Sequence, residues 1–96
     1  MFTGIVEEVG TVAGVKRTGG GIVLEVSAPK SVRELRVNDS VAINGVCQTV
    51  VRKKGKTFEV VAVEETLKKT TFGALCTGEK VNLELPMKLK DRKSVV

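Results

Sequence analysis

The chain has 96 residues, of which 42% are hydrophobic and 28% charged; this suits one small globular domain and excludes a disordered tail. Because it contains three Phe and no Trp or Tyr, its core must be filled mainly by Val, Ile, Leu and Ala, which favours strands. The net charge of +5 suits an acidic partner, but Lys and Arg are spread along the whole sequence, so charge alone identifies no partner.

The first two predicted elements are strands joined by a glycine-rich turn. Residues 4–15 are dominated by valine and other β-branched types, and Gly10 and Gly14 interrupt them, which predicts a bent strand. Residues 18–21 form a turn signal, and residues 22–26 then alternate in polarity. We therefore expect a second strand that forms a hairpin with the first.

A short helical turn and two more strands follow. Ser31 and Glu34 have the S-x-x-E spacing of a capping box, which predicts a helical turn of little more than one turn. Residues 41–43 and 46–52 read as strand segments. Gly45 lies between them and predicts a sharp bend or bulge.

Two strands and a second helical turn complete the pattern. Residues 53–56 form a hairpin loop, residues 57–63 a strand, residues 64–69 a short helix and residues 81–85 the last strand. Six short strands that follow one another at intervals of roughly 8–12 residues are typical of a small antiparallel barrel or sandwich. Closure into a barrel would remove the exposed strand edges. No domain boundary is predicted within residues 1–96.

Several site types and locations are disfavoured by the residues that the sequence lacks. There is no histidine, and Cys47 and Cys76 lie far apart without a CxxC pair, so we expect no metal. No apolar run approaches the roughly 18 residues of a membrane span, and no secretion signal opens the chain. We expect a cytoplasmic protein with two reduced thiols and no membrane contact.

Four segments resemble the N-terminal barrel of riboflavin synthase, in order and at matching spacing. They are Met1-Phe2-Thr3-Gly4-Ile5-Val6, Asn44-Gly45-Val46-Cys47-Gln48-Thr49-Val50, Glu65-Thr66-Leu67 with Thr70, and Val81-Asn82-Leu83-Glu84. The resemblance implies an all-β fold, a six-stranded antiparallel Greek-key barrel of the riboflavin-synthase domain type with one or two short helical turns. In the whole enzyme a second similar barrel and a trimerising helix follow.

The function implied by the resemblance is a dismutation. Riboflavin synthase transfers a four-carbon unit between two molecules of 6,7-dimethyl-8-ribityllumazine, giving riboflavin and a pyrimidinedione, with no metal and no redox cofactor. One substrate lies on each of two facing barrels, so this lumazine/flavin-binding barrel would supply half a reaction site. We expect a homodimer as a single barrel, or a trimer as part of the full enzyme.

Three positions depart from the family pattern. The family usually has Leu where Gln48 stands and Asn-Leu-Gly at residues 71–73, and it continues into a glycine pair and a histidine where this chain reads Lys93-Ser94-Val95-Val96. Residues 88–96 are then a C-terminal tail or the start of an interdomain linker. The chain is either a natural single-barrel relative or one cut at the domain boundary.

Three segments carry the expected substrate contacts. An extended N-terminal strand can present backbone groups to a planar heterocycle. Cys47 and Thr49 lie on the same face of a strand, so they point together into a pocket or into the core. A helix start with the Thr66 hydroxyl can bind a uracil-like edge or ribityl hydroxyls, although it is also explained as a capped helix. The residues are Gly4, Ile5, Val6, Cys47, Gln48, Thr49, Val61, Ala62, Val63, Glu64, Glu65 and Thr66.

Two residues are candidates for a catalytic role. Cys47 is expected to act as a pocket wall and polar contact rather than a nucleophile, because no histidine is present to activate a thiol. Ser40 aligns with a family serine near the site, although a serine after Asn-Asp is first of all a turn residue.

Two other functions stay open at this point. One is a carrier that binds riboflavin or its precursor without turnover. The other is a small basic OB-like barrel that binds single-stranded nucleic acid, which is disfavoured because stacking needs exposed aromatic side chains and only Phe2, Phe58 and Phe72 exist. We therefore expect a small-molecule ligand and no nucleic acid.

Overall fold

A computed structural model describes residues 4–63 and 74–86, which form a closed barrel of antiparallel strands in the order β1-β2-β5-β4-β3-β6. This confirms the predicted six-stranded antiparallel Greek-key barrel. The second predicted helical turn, at residues 64–69, lies outside the described residues. The elements are β1 (Glu8–Thr18), β2 (Gly21–Ser27), α1 (Ser31–Glu34), β3 (Ser40–Ile43), β4 (Val46–Lys54), β5 (Thr57–Val63) and β6 (Lys80–Glu84).

Side chains fill the barrel interior. Strands β2 and β5 alternate as the sequence predicts, so that every second residue is buried and its neighbours face outward. Packed aliphatic side chains and one phenylalanine form the core and fill the middle of the barrel. The core residues are Val12, Ile22, Leu24, Val26, Ala28, Val32, Leu35, Val41, Ile43, Val50, Phe58, Val60, Ala62, Val81, Leu83 and Leu85.

Strand β1 bends at its glycines, as the sequence predicts. Gly10 faces inward, and a Cβ there would lie 2.9 Å from Val26 and 3.0 Å from Leu83. A register shift between Val12 and Gly14 marks a bulge in the pairing with β2. The missing side chain at Gly10 lets β1 pass close over the core.

The sequence predicts a bend or bulge at Gly45, but the structure has a two-residue turn between β3 and β4. Asn44 and Gly45 have φ of 51° and 83°, and Ile43 pairs with Val46 across them, which is the two-residue hairpin favoured by Asn-Gly. The Asn44 N–H donates to the Asn82 carbonyl, and the Asn82 N–H donates to Asn44 Oδ1, each at 2.8 Å. The turn is thereby fastened to β6.

The predicted capping box of α1 is wrong. The N-cap residue is Lys30, which makes no side-chain cap hydrogen bond, and Ser31 lies inside the helix with a buried side chain. The carboxylate of Glu8 caps the helix instead, accepting hydrogen bonds from the N–H groups of Ser31 at 2.7 Å and Lys30 at 3.3 Å. Strand β1 also begins at Glu8, later than the predicted residue 4, and this contact fixes its first residue against α1.

The same contact shifts the titration of Glu8. Burial raises the pKa of Glu8, but contacts with the Ser31 side chain, the N–H groups of Ser31 and Lys30, and the Lys30 charge together lower it below its usual value. The Ser31 hydroxyl makes no hydrogen bond of good geometry, so we attribute the lowering chiefly to the two backbone donors. A lowered pKa stabilises the fold above the ordinary value of 4.5 and loses this effect as the pH falls through the folded value.

We expect Glu8→Gln to lower the free energy of unfolding at neutral pH by about 0.3–1 kcal/mol, because it removes the negative charge that β1 places at the N-terminus of α1 but keeps an acceptor. The deficit relative to the native chain should shrink as the pH falls below 4.5. Urea unfolding at several pH values measures it, with Glu7→Gln, an exposed neighbour, as the control. A deficit that does not change with pH would contradict a charge effect.

Gly21 should not tolerate a side chain. It lies opposite Val63, and a Cβ at this position would collide with the backbone carbonyl of Ala62, whereas a Cβ at Gly20 would meet open space. We expect Gly21→Ala to destabilise the barrel by about 1–3 kcal/mol and Gly20→Ala to change stability by less than about 0.5 kcal/mol. Thermal unfolding of the two variants provides the comparison, and equal effects would show that the strands can move apart at no cost.

Candidate functional site

The alternation of β4 places two of the predicted site side chains outside the barrel. Cys47 and Thr49 are exposed, whereas Gln48 is 7% exposed and lies on the inner face. The sequence predicts that Cys47 and Thr49 share a face but leaves open whether it faces the core. In the structure both side chains lie on the outer surface, and the side chain of Gln48 does not join them.

Strands β4 and β5 separate next to these residues. Their pairing starts at Lys54 and Thr57, shifts register after Arg52 and ends at Val50 and Val60. Beyond that point residues 46–49 pair with β3 and residues 61–63 pair with β2, and among the described residues no pair joins the two segments. A strand edge without a partner leaves N–H and C=O groups free to bind a ligand.

Exposed valines border this separation. Val51, Val61 and Val63 are 44%, 41% and 55% exposed on the outer face. Ala62, also predicted as a site residue, is fully buried with its side chain in the core, so only its backbone can reach the outer surface. Together the valines form an apolar surface of the kind that binds a flat heterocycle.

Strand β3 adds a hydroxyl to the same surface. Ser40 lies directly opposite Thr49, and Ala42 directly opposite Cys47, so these four side chains point to the outer side of the sheet, where Ser40 is half-buried and Ala42 is 4% exposed. Because Val50 lies opposite Val60, the adjacent outward residue of β4, Thr49, is next to the outer face of β5. We call this surface the β3–β5 face: Ser40, Ala42, Cys47, Thr49, Val61 and Val63.

The predicted N-terminal contacts lie beside the next strand of the barrel. Gly4, Ile5 and Val6 are exposed and precede β1, and the Glu7 N–H donates to the Leu83 carbonyl at 2.8 Å, so the segment runs along β6. Strand β6 adjoins β3, which places the segment one strand away from the β3–β5 face. The remaining predicted contacts, Glu64, Glu65 and Thr66, lie outside the described residues.

The barrel matches the lumazine-binding domain family over residues 3–86. The chain belongs to the lumazine-binding domain family. Among its relatives are riboflavin synthases of Bacillus amyloliquefaciens, 44% identical over 92 residues, and of Brucella abortus, 40% identical over 96 residues. The first match covers 96% of this chain and 43% of the relative, and the second 95% and 48%. The chain thus spans less than half of the length of these relatives.

Two solved structures share the fold of this lumazine-binding domain. They are LumP complexed with 6,7-dimethyl-8-(1'-D-ribityl) lumazine and LumP complexed with riboflavin, each with a TM-score of 0.83. Their identity to this chain is 29% and 28%, and they cover 92% and 93% of it and 50% of LumP. The similarity therefore extends over nearly the whole domain.

Two outer-face residues of the domain were missed by the sequence analysis. Ala42 lies in the β3–β5 face but is only 4% exposed, and Glu84 lies opposite Ala42 on the neighbouring strand β6. The position of Ala42 opposite Cys47 follows from the Asn44-Gly45 hairpin, whereas that of Glu84 depends on the register between β3 and β6, whose residues are about 40 positions apart in the sequence. The final strand was predicted, but no local signal gives its partner or register.

The described residues bear on three further expectations. Cys47 and Cys76 are free thiols, and both are exposed. Within residues 4–63 and 74–86, no three His, Cys, Asp or Glu side chains come together in a group that could hold a metal ion. In this same part of the chain, no helix is long and apolar enough to span a bilayer.

Proposed function

We propose that this domain binds 6,7-dimethyl-8-ribityllumazine or riboflavin on the β3–β5 face. The observation that carries the proposal is the separation of β4 from β5 beside exposed valines and the Thr49 hydroxyl. The two LumP complexes support it, because their fold is shared over nearly the whole of this chain. The interior cannot be the site, since core side chains fill it.

The chemistry of the face suits such a ligand. The heterocycle would lie against Val61 and Val63, which removes apolar surface from water at about 25 cal/mol per Å². Its polar edge would bind free backbone groups of the separated strands, with Thr49 adding a hydroxyl that can donate or accept. Glu64, Glu65 and Thr66 follow Val63 directly in the sequence, and we propose that they continue the polar contacts.

Catalysis would require a second barrel. The β3–β5 face covers one side of a flat ligand, whereas the dismutation joins two lumazines, so a second copy or a second domain must bring the other. We propose that the domain is one half of a riboflavin-synthase-type assembly and self-associates when it is alone. In that assembly Cys47 and Ser40, which share the face with Thr49, would contact the heterocycle as polar groups.

Binding without turnover is the second candidate function. It is favoured by the openness of the face, which offers a binding surface but no second wall. Product formation separates the two functions, because a carrier would bind riboflavin and make none. A nucleic-acid-binding role has less support, since Phe58 is fully buried and cannot stack on a base; Phe2 and Phe72 lie outside the described residues.

We expect Thr49→Val to weaken riboflavin binding about fivefold to tenfold, because it keeps the shape of the side chain but removes a hydrogen bond worth about 1 kcal/mol. Titration of the protein into riboflavin, followed by fluorescence, measures the affinity. Thr11→Val is the control: Thr11 bears a hydroxyl on β1, which is three strands from β4 in the barrel order. Loss of affinity in both variants would point to a general effect on the fold, and loss in neither would move the site elsewhere.

We expect the chain alone to bind riboflavin but to form it from the lumazine at least 100-fold more slowly per site than a two-barrel riboflavin synthase, because positioning of two reactants is worth several powers of ten in rate. A time course of riboflavin fluorescence from purified lumazine measures the rate, with the oligomeric state of the same sample determined by sedimentation. Equal rates per site would show that one kind of barrel suffices.

A further inference from the structure

Glu84 extends the β3–β5 face onto the neighbouring strand β6. Glu84 lies directly opposite Ala42 on β3, and Ala42 lies directly opposite Cys47 on β4, so the three side chains form one row across the outer surface. Side chains in such pairs are about 5 Å apart at Cβ. Ala42 is only 4% exposed, so the side chains of the row that a ligand can reach are Cys47 and Glu84, on either side of it.

The polarity of the outer face changes along this direction. On the β5 side the exposed side chains are the apolar Val61 and Val63. On the β3 and β6 side the half-buried Ser40 and Glu84 contribute a hydroxyl and a carboxylate. A ligand with an apolar ring system and a polyol chain therefore fits the face in one direction, with the ring over β4 and β5 and the chain toward β6.

The carboxylate of Glu84 is available for such a contact. Within the described part of the chain it has no hydrogen bond and no ion pair, and its residue is half-buried on the outer face. An ionised carboxylate only accepts hydrogen bonds, and its two oxygens suit neighbouring hydroxyl donors. A ribityl chain supplies several such donors, whereas the methylated edge of the heterocycle supplies none.

We infer that Glu84 is a further ligand-binding residue, which accepts hydrogen bonds from the ribityl hydroxyls and so sets the direction in which the ligand lies on the barrel. The inference rests on the proposed function and adds a binding group and an orientation to it. It predicts that Glu84 discriminates between flavins with and without a ribityl chain.

The test compares riboflavin with lumiflavin, which has the same ring system and a methyl group in place of the ribityl chain. We expect Glu84→Ala to weaken riboflavin binding about tenfold, because it removes charge-assisted hydrogen bonds, and to leave lumiflavin binding unchanged. Glu84→Gln, which keeps the shape and one acceptor oxygen, should show a smaller loss for riboflavin only. Glu25→Gln is the control, since Glu25 faces outward on β2, beyond β5.

The outcomes separate this inference from the proposed function. If the native chain binds neither flavin, the proposed function fails. If it binds riboflavin and the Glu84 variants, with unchanged melting temperatures, bind both flavins as the native chain does, Glu84 is not a contact. Equal losses for both flavins would place Glu84 at the ring and overturn the proposed orientation.

Discussion

A barrel of six strands has no room inside for anything except its own side chains, and this constraint determines where the domain can work. Even eight strands enclose only a space that side chains can fill. In the described part of the chain, sixteen residues, most of them aliphatic, form the core, and the smallest of them, Ala28 and Ala62, are fully buried. The proposed binding therefore uses the outer face of the sheet, where only every second residue of a strand is available. The polarity of the outward-facing residues is thus informative about function, whereas the inward-facing residues form the core that stabilises the fold.

The strands themselves could be predicted because most have one clearly apolar face. In β2 and β5 the inward and outward residues differ in kind, so alternation alone gives the buried set. Strand β4 is different: Val46, Gln48 and Val50 on one face are hardly more apolar than Cys47, Thr49 and Val51 on the other. The sequence predicts which side chains share a face but not which face is inward. The pairing of β4 with β3 determines which face is inward, and the polar Gln48 is buried there together with Val50.

The wrong prediction at α1 shows a second limit of local patterns. Ser31 and Glu34 have the spacing of a capping box, but the chain enters the helix one residue earlier than that motif requires. The acceptor comes from Glu8, 23 residues before Ser31, which no short motif can reveal. The same limit applies to Glu84, whose neighbour is set by the closure of the barrel. The strand pattern therefore predicted that Cys47 and Thr49 share a face, and the family resemblance supplied Ser40, Val61 and Val63 on the neighbouring strands. Neither source pointed to Glu84, which barrel closure brings next to β3.

The opening between β4 and β5 has a structural cost, and the topology explains how the domain can bear it. Among the described residues, the segments 46–49 and 61–63 make no ladder pair with each other, so backbone polar groups on these edges need another partner, such as water or a ligand. Strand β5 is held on its other edge by seven pairs with β2, and β4 by four pairs with β3, so the loss stays local. A ligand bound in the opening would replace the missing partner strand on its polar edge while its ring covers the exposed valines. In the proposed mode, binding would complete the sheet where β4 and β5 separate, and apolar and polar contacts to the ligand would lie close together for that reason.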